Sequence, residues 1–305
     1  MSRDVSILAC PKCGGAPLVA AEESLACAGC DSRFPIEDGI PDLLVGERFH
    51  DESGCDVWEN EEKTGRFLAT SYLAPLIERL FRDRDPASLR VLSIGCGVGS
   101  DVEVLGSRGY EAYGADAGGR PQLWRRRSFP ERFYFANAKH LPFRSETFDF
   151  VFLCCVIPHI GVVGDTYETT PDHAAQRQAA WDEALRVLKR GGHILLSAPN
   201  KRCPLDLFHR KFHWVHLPRV HSPWETFLLS VDEYREQLVV RGGCRDFEVL
   251  PLEGYWGFFI SSGYWFGRLL QAPIRLLFKL MSWESTRWLR GTFLNPWLVV
   301  RAQKS

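Results

Sequence analysis

Apolar positions along this chain fall into two rhythms. Leu68, Tyr72, Leu76 and Leu80 recur every four residues and predict a helix, in which Pro75 must bend or start a turn. Arg90–Ile94 reads as a short buried strand, and helical spacing follows over Ser100–Ser107. Segments 111–115 and 132–136 and Phe148–Cys154 read as further strands. Segment 174–189 is amphipathic, with Trp181, Leu185 and Leu188 on one face, and Gly191 and Gly192 predict a turn into a strand at 193–197. Segment 231–241 reads as helix, 246–250 as extended and 297–301 as a last strand. Strands separated by helices predict an α/β fold whose parallel sheet is covered on both faces.

Residues 1–45 lack these rhythms. They are short-period, Gly- and Pro-punctuated and Cys-rich, with net charge −4, and residues 47–62 add −6. The end from 264 to 305 carries +6. The organisation expected is therefore a small domain at 1–45, an acidic linker or flap at 46–65 and a large domain at 66–305, with insertions at 200–229 and 254–292. Over all 305 residues the net charge is −1, which argues against a protein gripping nucleic acid over its whole surface. With 45% hydrophobic and 25% charged residues, bulk disorder is excluded. The N-terminus has no signal-peptide pattern, and the uncharged run 254–267 falls short of the roughly 20 residues that span a bilayer. Ten cysteines in such a chain argue for thiols or metal ligands in a reducing, cytoplasmic setting.

Cys10, Cys13, Cys27 and Cys30 form a C-x2-C-x13-C-x2-C pattern. Four thiolates at this spacing suit tetrahedral Zn2+ and leave no ligand position open, so the metal is structural. The module is too small for a core of its own, and metal binding is expected to supply its folding energy. With the following RFPIEDGIPDLL, it resembles the small zinc-ribbon subunit that activates tRNA and protein methyltransferases.

The segment VLSIGCGVGS leaves a strand and opens a helix. Its glycines Gly95, Gly97 and Gly99 allow a tight turn and close approach of a ligand to the backbone. Asp116 lies 21 residues after Gly95, at the tip of the next strand, where a carboxylate can accept both ribose hydroxyls of a nucleoside. The third glycine of G-x-G-x-x-G is missing, which argues against a dinucleotide site. Four motifs occur in order: VLSIGCGVG, YGADAG, NAKHLPFRSETFDFV and ALRVLKRGGHILLSAPN. Together they resemble class I S-adenosylmethionine (SAM)-dependent methyltransferases, in the subgroup that includes quinone-biosynthesis enzymes. The resemblance implies a Rossmann-like seven-stranded sheet that binds SAM, with an aromatic-rich insertion before the last strand. It further implies that Gly95, Cys96 and Gly97, with Gly99, pass under the methionine part and that Asp116 and Ala117 hold the ribose. Asn137 and Ala138 would flank the adenine, and the Cys154 backbone would meet the amino-acid end. Ser93 and Asn137 stand where the family often carries acids.

On the acceptor side, His159 is the candidate general base, with a rim histidine that shapes the pocket as the alternative. His209 and His213 would share a helical face as a metal pair or catalytic residues. Phe208, Phe212 and Trp214 interleave with them, so an aromatic acceptor pocket is favoured over a metal site. Arg125, Arg126 and Arg127 read as a solvated helix face. The basic, aromatic stretch 254–290 fits a membrane interface, a lid, a subunit interface or plain packing. The expected activity is methyl transfer to oxygen or carbon of a hydrophobic or lipid-linked small molecule, by a cytoplasmic protein in peripheral contact with a membrane or free of it. The rivals are an RNA methyltransferase, disfavoured by the acidic ribbon and linker, and a non-catalytic scaffold. Oligomeric state stays open.

Overall fold

The structure is a computed structural model and describes residues 3–46, 55–118, 121–164, 167–212, 215–259, 263 and 265–305. The chain divides into two compact units, residues 1–152 with 175–194 and 304, and residues 153–174 with 195–303 and 305.

The first unit begins with an antiparallel four-stranded sheet, β1 (Leu18–Ala21), β2 (Ser24–Cys27), β3 (Arg33–Glu37) and β4 (Ile40–Pro41), in sequential order. Leu18, Leu25, Phe34 and Ile40 are buried in it. Next, α1 (Cys55–Leu68) and α2 (Ala74–Leu80) flank a π-helical turn, Ala69–Leu73. Pro75 sits in the first turn of α2, where its missing N–H costs least. Of the four-residue stripe, Leu68, Tyr72 and Leu76 are buried. The segment read as a linker is thus helix from Cys55 onward. Its charges explain this: Glu59–Lys63 and Glu62–Arg66 are i,i+4 pairs that support a helix.

The main sheet follows with β5 (Arg90–Ile94), α3 (Ser100–Ser107), β6 (Glu111–Asp116), α4 (Pro121–Trp124), β7 (Phe133–Phe135), β8 (Phe148–Cys154), α5 (His173–Val187) and β9 (Leu188–Pro199). Adding β12 (Arg245–Val249) and β13 (Trp297–Gln303), introduced below, gives the order β12-β13-β9-β8-β5-β6-β7. Pairings β5–β6, β5–β8 and β6–β7 are parallel, and β12–β13 is antiparallel. Val91, Leu92, Phe150, Val151 and Phe152 are almost wholly buried, as strands covered on both faces must be. Gly191 and Gly192 make no turn. They lie inside β9, where Gly191 N–H donates to Lys304 O and Lys304 N–H to Gly192 O. A Cβ on Gly192 would come within 2.8 Å of Asp149 O, so the glycine serves close packing.

The ribbon belongs to this first unit. Leu8 bridges Phe143 antiparallel, with Ala9 N–H donating to Pro142 O (3.1 Å) and Arg144 N–H to Ile7 O (2.8 Å). Asp42 pairs in parallel with Phe135, and Leu43 N–H donates to Phe135 O (2.9 Å). The ribbon therefore continues the main sheet past its edge strand β7. Leu8 and Leu43 are fully buried at this join, so apolar packing adds to metal binding in holding the module.

The second unit carries the antiparallel pair β10 (Leu205–Phe212) and β11 (Val215–Val220), then α6 (Val231–Arg235) continued by a π turn to Arg241. Ser230 and Glu233 form a capping box on α6. The 254–292 insertion contains α7 (Trp265–Ser282) and a 3-10 stretch, Glu284–Gly291. His209 lies in a strand and His213 lies outside the described residues, so the helical i,i+4 metal pair does not arise. Antiparallel pairing with β11 takes the backbone groups a helix would have used.

Candidate functional site

The turn from β5 to α3 is made by three glycines in the left-handed region, Gly95 (φ 73°), Gly97 (φ 50°) and Gly99 (φ 76°). At Gly99 a side chain has no room: a Cβ would meet Phe133 at 2.4 Å. Gly95 N–H donates to Ala115 O, which ties the loop to the tip of β6.

Asp116 faces this loop. One carboxylate oxygen accepts Gly97 N–H (2.7 Å) and the other accepts Gly118 N–H (2.6 Å). A carboxylate has about four lone-pair sites, so acceptor capacity remains for two hydroxyls. Ala117 follows it, half-buried. Asn137 is buried and takes Lys139 N–H on Oδ1, Ala138 beside it is half-buried, and Ala136 N–H donates to Asp116 O. Gly95 to Gly99, Asp116, Ala117, Asn137 and Ala138 are thus neighbours through β5, β6 and β7. Cys96 is buried beneath the loop, against Gly114.

Several supporting residues were not legible as such. Trp124 Nε1–H donates to Gly97 O (2.8 Å). Arg127, read as part of a solvated face, is largely buried and donates twice to Val98 O while pairing with Glu62 and Glu103. Burial pushes the Glu62 carboxyl up, but Arg127 outweighs it and holds it below the ordinary range. Ser93 Oγ–H donates to Asp101 Oδ2 (2.7 Å), so the acid absent at position 93 is supplied from the first turn of α3. Burial pushes Asp101 up to about 6, against the opposing hydrogen bonds from Ser93 and Val102 N–H. Trp58, Lys63, Val98 and Leu123 line a depression beside the loop, and Trp58 Nε1 is buried there without a partner. Loop backbone at positive φ, spare carboxylate acceptors and an orphaned donor suit a polar nucleoside ligand such as SAM.

In the ribbon, the four thiol sulfurs lie within 4.8 Å of one another. Cys10–Cys30 and Cys13–Cys27 are 3.7 and 3.6 Å apart. Zn–S bonds of about 2.3 Å arranged tetrahedrally require sulfurs roughly 3.8 Å apart, so the residues fit the ion. Gly29 N–H donates to Cys27 Sγ, and the Ser32 hydroxyl lowers Cys30 to about 6.

In the second unit, Cys154 ends β8 and Cys155 follows at φ 60°, a conformation that side-chain-bearing residues rarely adopt. Cys155 N–H donates to Ser197 O, and Ser197 Oγ contacts the buried Tyr255 hydroxyl. Burial pushes the Cys155 thiol up to about 12 and Tyr255 well above its ordinary range, so both stay protonated. His159 ends a 3-10 turn, exposed, with its ring edge-on to Phe227 at 5.6 Å. Tyr167 also meets Phe227, and Arg219 lies 3.9 Å over the Tyr167 ring while binding both Glu225 oxygens. Tyr167, Phe227 and Arg219 carry no local motif, and only the fold of 153–174 against 219–229 assembles them.

Residues 92–196 match the family model described as Methyltransferase domain, and residues 5–39 match that described as Trm112p-like protein. No curated protein matches the sequence. Among solved structures, phosphoethanolamine N-methyltransferase 2 of Haemonchus contortus, in complex with SAM, is 19% identical (TM-score 0.45; 76% of this chain, 51% of that one). The chain thus spans about half the length of that enzyme. A SAM-dependent methyltransferase of Thermotoga maritima is 16% identical (TM-score 0.40; 82% and 96%). A complex of the Haloferax volcanii Trm112 methyltransferase activator with a methyltransferase matches at 14% identity (TM-score 0.47; 82% and 95%).

Proposed function

We propose that this chain, a SAM-dependent methyltransferase with a Trm112-like zinc ribbon at its N-terminus, methylates oxygen or carbon of a hydrophobic or lipid-linked small molecule. The observation that carries the SAM assignment to particular residues is the pair of backbone N–H donors from Gly97 and Gly118 on Asp116. They aim the carboxylate and leave it acceptor capacity for ribose hydroxyls. Gly95, Cys96, Gly97 and Gly99 form the cradle, Asn137 and Ala138 flank the base, and the Cys154 backbone meets the amino-acid end. SAM supplies an electrophilic methyl group on a sulfonium. The chain's share is to align the acceptor in line with it and to keep water out.

An oxygen or carbon acid must also shed a proton. His159 is the proposed acceptor of that proton, because Tyr255 and Cys155 are held protonated by burial. Tyr255 would instead donate a hydrogen bond. Tyr167 and Phe227 supply an aromatic surface, with the Arg219 guanidinium stacked on the Tyr167 ring, which favours an aromatic or hydrophobic acceptor. A cytoplasmic setting and peripheral membrane contact through 254–290 belong to the same reading; among the described residues no helix is long and apolar enough to cross a membrane. The net −4 and −6 of the first two segments disfavour an RNA acceptor. The test is transfer of radiolabelled methyl from SAM to fractionated lysate. Label in the lipid or small-molecule pool, lost in His159→Ala, supports the reading. Label in the RNA pool, or no label anywhere despite SAM binding, overturns it.

A further inference from the structure

We propose that the solvent side of α7 and the segment after it form a preformed docking face for an anionic lipid surface. The proposal deepens, and rests on, the hydrophobic-acceptor reading for its purpose, but not for its geometry. Two apolar faces run along α7. Phe266, Ile274, Phe278 and Met281 are buried and account for one. Leu269 and Leu276 are 69% and 59% exposed, and Trp283, just past the helix, is 53% exposed. At about 100° per residue, positions 265, 269, 276 and 283 fall within an arc of about 40°, opposite the buried face. Trp288 and Phe293 extend the exposed apolar surface, at 67% and 62%.

Charge decides what covers this strip. Arg268, Arg275 and Lys279 are exposed and line one flank of it, and Glu284 is the lone acid between 254 and 305. A second copy packed on the same face by two-fold symmetry would oppose these cations to their own kind. A bilayer of anionic lipids answers both features at once: acyl chains take the Leu and Trp side chains, and headgroups take the Arg and Lys side chains. The face is held in place from within. Arg290, buried, donates to Met281 O (2.7 Å) and Ser282 O (3.2 Å), which satisfies carbonyls at the end of α7. No ordering of this helix is then left for the membrane to drive.

The experiment is co-sedimentation of the full chain with phosphatidylcholine vesicles, with and without phosphatidylglycerol. The expected result is binding to the anionic vesicles alone, with a blue shift of Trp fluorescence. R268Q/R275Q/K279Q weakens binding on the order of 100-fold, at roughly fivefold per basic residue. L269S/L276S abolishes it, while titration calorimetry with SAM stays unchanged and certifies that the variant is folded. Equal affinity for neutral vesicles, or no binding to either, overturns the proposal. A wild-type dimer that L269S/L276S dissociates in analytical ultracentrifugation overturns it in favour of a second copy. Vesicle binding without label in any lipid or small-molecule pool leaves the face standing and sinks the acceptor reading. The reverse outcome does the opposite.

Discussion

Asp116 accepts two backbone N–H groups, so its carboxylate is both part of the loop's frame and the proposed ribose holder. Asp116→Ala removes the acceptor and leaves two donors unmet. SAM affinity should fall by about 1–3 kcal/mol, roughly fivefold to 150-fold, in titration calorimetry. Unchanged affinity would remove the ribose assignment. Asp101 makes a separate, pH-resolved prediction. Burial raises its folded pKa from 3.8 to about 6, so the folded state binds the proton more tightly than the unfolded one. The stability this brings is complete below about pH 4 and is lost as pH rises through about 6. Relative to Asp101→Asn, which has no proton to lose, the wild type should forfeit about 3 kcal/mol across that window in denaturant unfolding. Parallel stability curves for the two proteins would contradict the buried acid.

At the scale of elements, the β5–α3 turn can be tested by Gly99→Ala. The substitution asks an L-residue to hold φ 76° with its Cβ inside Phe133. A loss of roughly 2–4 kcal/mol in urea unfolding is expected; a loss under 1 kcal/mol would mean the turn yields easily. Most strands and helices were legible because their residues answer to one local rule each. RVLSI and FDFVFLC are buried on both faces, and 100–107 keeps helical spacing. The failures share a cause, since each was settled by a distant partner. Residues 55–65 look like linker until Arg127 pairs with Glu62. Gly191 and Gly192 look like a turn until the chain terminus pairs with them. Arg127 looks solvated until Val98 O receives it. The Gly loop and Asp116 could be found because their chemistry is written within one strand–turn–helix. The Tyr167–Phe227–Arg219 group could not, because it joins residues more than fifty positions apart.

At the scale of the molecule, the ribbon and β5–β8 share one unit through backbone hydrogen bonds at Ile7, Ala9 and Leu43. Zinc removal should therefore lower the main thermal transition of this unit instead of melting a separate small one. Calorimetry with and without a chelator reads this directly, and an untouched main transition beside a lost minor one would refute it. Asp42 and Leu43 lie along Phe135, and Leu43 N–H donates to its carbonyl, so the ribbon occupies part of the outer edge of the main sheet. Fused in cis, the ribbon comes at fixed stoichiometry, one module per methyltransferase-like domain, and dilution cannot strip it away.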